Sequence, residues 1–161
     1  MNRFLVAFSL LLISATACLA AAKAKVESPA DCQNCGMNRT SFGHSRMVVS
    51  YRDGSSTGTC SINCVAVDMR KSRGKEAASF QVADYKSRNL IDARSAVWVI
   101  GGSRKGVMTP VAKWAFAEKS SAEQFIKESG GKLATFDDVL QAVSRELDSR
   151  GAAKEHGGHK M

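Results

Sequence analysis

One order of hydrophobic patterns, strand–strand–helix–strand, occurs twice along this chain, and that repetition narrows the fold more than any single motif. Residues 46–51 alternate as a strand, Asp53-Gly54 carries a hairpin-turn signal, and residues 57–59 supply the returning strand. Ser61 then opens a helix with Ile62, Val65, Ala66 and Met69 at i, i+3, i+4 and i+7, and Gly74 closes it. Residues 79–84 alternate again. Downstream, residues 96–100 read as a strand ended by Gly101-Gly102, and residues 112–117 as its partner after a long loop. Ser120 and Glu123 have capping-box spacing before a helix with Ala122, Phe125 and Ile126 on its apolar face. Gly130-Gly131 ends that helix, residues 132–136 form a short strand, and a last helix from Asp137 buries Val139, Leu140, Val143 and Leu147. Neither unit holds enough apolar residues for a core of its own. The expectation is an α+β domain of two packed ββαβ units, residues 32–92 and 93–150, the second carrying the C-terminal helix. A polar tail, residues 151–161, has no core-forming residues and is expected to be flexible.

The first residues give an address. Met1-Asn2-Arg3 is a short positive start, and residues 4–17 are apolar and uncharged. Fourteen residues fall short of the ~20 that cross a bilayer. Small residues follow, so residues 1–22 read as a signal peptide and the protein as exported. Ala15-Thr16-Ala17 before Cys18 has the layout of a lipobox, with Cys18 as the lipidated N-terminus and a membrane anchor; cleavage in the alanine run after Cys18 competes with it. Residues 23–31 then form a tether. The net charge of +8 is scattered, densest at residues 70–75 and without aromatic interleaving, so no nucleic-acid partner is expected. It suits steering toward an acidic partner or anionic headgroups.

Besides Cys18 there are four cysteines, in two close pairs: Cys32-x-x-Cys35 and, after 24 residues, Cys60-x-x-x-Cys64. Gly36 and Met37 follow the first pair. Cys60 and Cys64 flank a helix start, where the dipole and free N–H groups favour thiolate. Four thiolates suit structural zinc; paired cysteines in an oxidising compartment suit disulfides; thiolate with thioether suits Cu(I); and C-x-x-C has thiol-redox spacing. Spacing alone leaves all four open. Met108, in a Gly/Thr/Pro loop off any periodic apolar face, is a further sulfur candidate. His156, His159 and Met161 read as a polar tail, and His44 as an exposed loop residue.

The ordered set Cys32-x-x-Cys35-Gly36-Met37, Cys60-Ser61, Asp84-Tyr85, Leu90-Ile91-Asp92-Ala93, Ala96-x-Trp98-Val99, Met108, Ala115-Phe116 and Gly130-Gly131 resembles the NosL family of nitrous-oxide reductase accessory proteins, over about residues 30–140. The resemblance implies a periplasmic, usually lipid-anchored Cu(I)-binding protein that supplies copper to nitrous-oxide reductase or another copper-receiving protein. It also implies a fold of two ββαβ units related to organomercurial lyase. Carried over, Cys35 and Met37 are the leading copper ligands and Met108 a third, with Cys32, Cys60 and Cys64 contributing or, for the last two, forming a disulfide. The chain reads as a carrier, not an enzyme. The rivals are a general heavy-metal or zinc-stabilised module, a thiol-disulfide oxidoreductase, and a lyase-like enzyme with Asp84 or Asp92 as proton donor.

Overall fold

Alternation puts Met47, Val49 and Tyr51 on the inner face of β1 (Met47–Tyr51), each at most 5% exposed. The computed structural model describes residues 26–157; the export segment with Cys18, and His159 and Met161, lie outside the described residues. β1 turns through Asp53-Gly54, with Gly54 at φ 82° and the Asp53 carboxylate accepting the Ser55 N–H, into the antiparallel β2 (Ser56–Thr59). Helix α1 (Ile62–Lys71) leads to β3 (Ala77–Ala83), which pairs with the other side of β1, Val82 opposite Met47 and Phe80 opposite Val49. A further strand, β4 (Leu90–Asp92), extends this sheet to the order β2-β1-β3-β4. Three residues are too few for alternation to announce a strand, so the first unit is ββαββ where ββαβ was expected.

β5 (Val97–Ile100), β6 (Lys113–Phe116) and β7 (Lys132–Ala134) form a second antiparallel sheet in the order β6-β5-β7, with α2 (Lys119–Ser129) between β6 and β7 and α3 (Phe136–Gly157) closing the described chain. Both faces of this sheet are covered. Trp98 and Ala115 pack with Met47, Phe80 and Val82 of the first sheet and with Val139 and Val143 of α3. Val99, Trp114 and Phe116 face the other way, onto Ala122 and Phe125 of α2 and onto three cysteines. Double coverage is why β6 is buried at all four positions. The Trp98 indole N–H, deep in the shared core, donates to the Ala93 carbonyl at 2.8 Å. The two units thus pack around common apolar residues.

Several local expectations move. Ser120 does not cap α2: the N-cap falls two residues earlier, at Glu118, whose carbonyl takes the N–H groups of Ser121 and Ala122. The reciprocal capping pair lies instead at Thr135 and Asp138, heading α3, where Thr135 Oγ1 accepts the Asp138 N–H at 3.2 Å and the Asp138 carboxylate accepts the Thr135 N–H at 2.9 Å. Met69, on the expected apolar stripe of α1, is 37% exposed. α3 continues through residue 157, into the segment expected to be a flexible tail, because the Ala-Ala-Lys-Glu run after Gly151 favours helix.

The expected tether is, from Glu27 onward, part of the fold. Arg39 is fully buried, and its guanidinium donates to the carbonyls of Glu27 (2.9 Å), Pro29 (2.6 Å), Thr59 (3.2 Å) and Met47 (3.3 Å). Its charge meets the Glu27 carboxylate, which also pairs with buried Arg46 at 3.1 Å. A guanidinium out of water requires both a counter-charge and acceptors for its N–H groups, and this segment supplies both.

Candidate metal centre

Two chain segments bring the cysteines together. The first is a tight loop closed by an Asp31–Asn38 bridge, in which Cys32 N–H donates to the Met37 carbonyl at 2.9 Å and Gly36 N–H to the Cys32 carbonyl at 2.8 Å. Gly36 takes φ 76°, a conformation that glycine adopts without strain. The loop is pinned to β2 by Gln33, whose N–H donates to the Gly58 carbonyl and whose side-chain oxygen accepts the Gly58 N–H. The second segment is the exit of β2 into α1. Cys60 precedes the extended N-cap Ser61, and Cys64 is the third residue of the helix.

The four Sγ atoms of Cys32, Cys35, Cys60 and Cys64 lie within 4.8 Å of one another. Cys35, Cys60 and Cys64 form a nearly equilateral triangle with edges of 3.6, 3.7 and 3.6 Å. A triangle of that edge has its centre about 2.1 Å from each sulfur, close to the ~2.3 Å of a metal–thiolate bond. Cys32, Cys60 and Cys64 are buried; Cys35 is exposed at the rim. All four are free thiols, so the disulfide considered for Cys60 and Cys64 is not formed in this structure.

Their acidities diverge. The Cys60 thiol donates to Cys64 and, with help from the Asn34 side-chain amide, brings Cys64 down to about 5 despite its burial. Cys60, holding its proton against that neighbouring thiolate and buried as well, is pushed up. Partial burial of the Cys35 sulfur against the cluster raises it to about 11, although the residue itself reaches the surface. The apo cluster is therefore best described as one thiolate shared among hydrogen-bonded thiols. Lys71 extends this arrangement, its ammonium donating to Asn34 Oδ1 at 2.8 Å. Sequence reasoning missed Asn34 and Lys71. The signal was present: Asn34 sits inside the C-x-x-C loop, and Lys71 lies seven residues after Cys64, on the same helix face.

Met37 packs, partly buried, against the cluster that contains Cys32, Cys60 and Cys64. Met108 is 40% exposed on the β5–β6 loop at φ 61°, and its carbonyl accepts from Arg150 at 3.2 Å, which ties it to α3. Asp84, weighed as a proton donor, is a brace. Burial pushes its carboxyl up, but N–H bonds from Ser87, Ala117 and Lys86 outweigh this and hold it below the usual range. A cleft of about 550 Å³ between the second sheet and α3, walled by Ile100, Val111, Leu133, Gln141 and Arg145, contains none of the cysteines.

His44, expected on an exposed loop, is half-buried with its ring 5.2 Å from Trp114 and 5.9 Å from Tyr85. Burial, with Arg88 nearby, lowers its pKa to about 4. Above pH 6.5 the imidazole is neutral folded or unfolded; between 6.5 and 4 only the unfolded chain takes the proton, so stability falls with pH across that window. Allowing for partial solvent screening, the loss from this group is on the order of 2 kcal/mol. Urea unfolding at pH 7 and 4.5 should show this extra acid sensitivity in the wild type and its absence in His44→Phe. Equal slopes in both would remove the assignment.

Comparison with known proteins places the chain among relatives of known kind. A family model described as NosL matches residues 23–144. A copper-binding lipoprotein NosL of Stutzerimonas stutzeri is 37% identical over 70 residues, a stretch covering 44% of this chain and only about a third (34%) of that relative. Among solved structures, the copper chaperone NosL from Shewanella denitrificans superposes with a TM-score of 0.59 at 25% identity, over 75% of this chain and 98% of that one. The family match spans most of the chain, and the fold match takes in nearly the whole of a solved member: the chain belongs to the NosL family.

Proposed function

We propose that this protein is an extracytoplasmic Cu(I) metallochaperone, anchored through Cys18, that supplies copper for the maturation of nitrous-oxide reductase or another copper-receiving protein. The observation that carries the reading is the cluster of four cysteine sulfurs with one member, Cys35, at the surface. Soft thiolates prefer Cu(I), and a three-sulfur plane suits a monovalent ion that takes few ligands. A carrier must also let go. Transfer by ligand exchange needs an incoming sulfur to reach the ion before the old bonds break, and the rim position of Cys35 gives it that approach. Met37 beside the cluster offers a thioether that holds the ion without adding charge, and Met108 a further one on an exposed loop. The relatives' names, copper-binding lipoprotein and copper chaperone, support the same role and favour carriage over catalysis.

Anaerobic Cu(I) titration of the reduced mature protein against a chromophoric chelator tests this. Cys35→Ser and Met37→Leu should each weaken binding, the former by about tenfold or more, as loss of a soft donor from a small site requires. Unchanged affinity in both would remove the site. Four cysteines this close also match a tetrahedral zinc site, so the titration is repeated with Zn(II) in competition. Retention of zinc against excess Cu(I) would favour a structural zinc module.

A further inference from the structure

The cysteines touch one another, yet they do not meet the outside equally. Cys32, Cys60 and Cys64 are buried at 3%, 0% and 0% exposure, so of the four cysteines among the described residues a macromolecular thiol reagent can reach only Cys35. Cys35 Sγ is 3.6 Å from Cys64 Sγ, and the turn that carries it has room to move: nothing lies within 4 Å of where a Cβ on Gly36 would point. Closing to the ~2.05 Å of a disulfide needs the two sulfurs to approach by about 1.5 Å. Cys64 is placed to complete such a bond, since it stands in the first turn of α1, where unpaired N–H groups favour a thiolate, whereas Cys60 lies outside the helix.

We propose that Cys35 is a thiol–disulfide exchange site, through which an external disulfide or dithiol sets whether the cluster is four thiols or contains a Cys35–Cys64 disulfide. In the oxidising direction Cys35 passes its proton to Cys64 Sγ, 3.6 Å away, and attacks one sulfur of the external disulfide; an S–S bond forms between them, the external S–S bond breaks, and the displaced thiolate takes that proton back from Cys64 as it leaves. The Cys64 thiolate then attacks Cys35 Sγ, forming the internal disulfide and expelling the second external thiolate. The two cysteines lose two electrons and the external disulfide becomes two thiols; an external dithiol runs both steps backward. The consequence rests on the carrier reading above: two of the triangle's three sulfurs leave the donor set on oxidation, so a dithiol reductant must act before metal can be loaded. Exported cysteines face oxidising conditions, which makes such a partner necessary.

The test treats reduced protein anaerobically with oxidised glutathione, quenches by alkylation and maps the peptides. The expected product is a Cys35–Cys64 disulfide, with Cu(I) uptake lost and then restored by dithiothreitol. Cys35→Ser should slow thiol loss by about tenfold or more, because the exposed attacking group is gone. Cys64→Ser should stop at a single glutathione adduct on Cys35. A Cys60–Cys64 disulfide forming as fast in Cys35→Ser as in the wild type, or no two-electron oxidation at all, overturns the proposal. Cu(I) titration of the same reduced wild type keeps the two readings apart. Copper bound without exchange defeats this one alone, and exchange without copper binding defeats the carrier.

Discussion

On the carrier proposed above, Cys64→Ser should lower the Cu(I) affinity of the reduced protein by more than about a hundredfold, because removing a direct ligand should exceed the 10- to 100-fold typical of losing an outer hydrogen-bond partner. Cys64 is one corner of the nearly equilateral sulfur triangle, 3.7 Å from Cys60 and 3.6 Å from Cys35. It is also the acidic member, brought down to about 5 by the Cys60 thiol and the Asn34 amide, so a metal arriving at neutral pH meets a thiolate there. In the serine variant that thiolate is gone, while the protons of Cys60 and Cys35 must still leave on binding, as they do in the wild type. Affinity should therefore be lower at every pH from 6 to 8 while rising with a similar slope, since both proteins release the same two protons. Chelator competition at several pH values measures both effects. An affinity within tenfold of the wild type across this pH range would mean that Cys64 is a bystander.

How the cysteines and the fold became legible from sequence differs by the length scale of the signal. β1 and β3 declared themselves because Met47, Val49, Phe80 and Val82 alternate over a half-buried surface, a pattern set by the pleat. α1 did so through Ile62, Val65 and Ala66, and these also place Cys64 on the buried side of the same helix. The pairing of Cys32 and Cys35 with Cys60 and Cys64 was suggested by spacing, but the choice among zinc, disulfide, copper and redox chemistry was not, since each asks for the same four sulfurs. β4 left no trace because Leu90–Asp92 is held by its pairing with β3, not by its own pattern. His44 was misleading for a related reason, and the burial of Arg39 left no signal for the same one. A single polar residue in a loop looks solvated until tertiary contacts bring Trp114 and Tyr85 to the imidazole, or four carbonyls to the guanidinium, and neither set is local in sequence.

Arg39→Ala destabilises the protein by about 3–5 kcal/mol, the range found when one member of a buried charge pair is deleted. Three losses combine. The Glu27 carboxylate, shared between two arginines, keeps only Arg46. The carbonyls of Glu27, Pro29, Thr59 and Met47 lose a common donor, and those that stay buried bear the cost of an unmade hydrogen bond. A side chain that is fully buried also leaves a void, which the surrounding backbone can close only in part. Arg39→Lys should recover only a fraction, because a single ammonium cannot reach acceptors arranged around a planar fork. Urea unfolding of the two Arg39 variants, of Glu27→Gln and of the Arg39→Ala/Glu27→Gln double variant forms a cycle in which the double variant should cost clearly less than the sum. The damage reaches the metal centre. The Thr59 carbonyl that the guanidinium holds immediately precedes Cys60, and the same guanidinium holds the Glu27 and Pro29 carbonyls that lead into the loop carrying Cys32 and Cys35. Loss of the guanidinium frees the sulfur-bearing segments from each other, so Arg39→Ala should also bind Cu(I) more weakly although Arg39 itself donates nothing to the ion. A variant with wild-type copper affinity and less than about 1 kcal/mol of lost stability would show that the cysteines alone hold these segments in register.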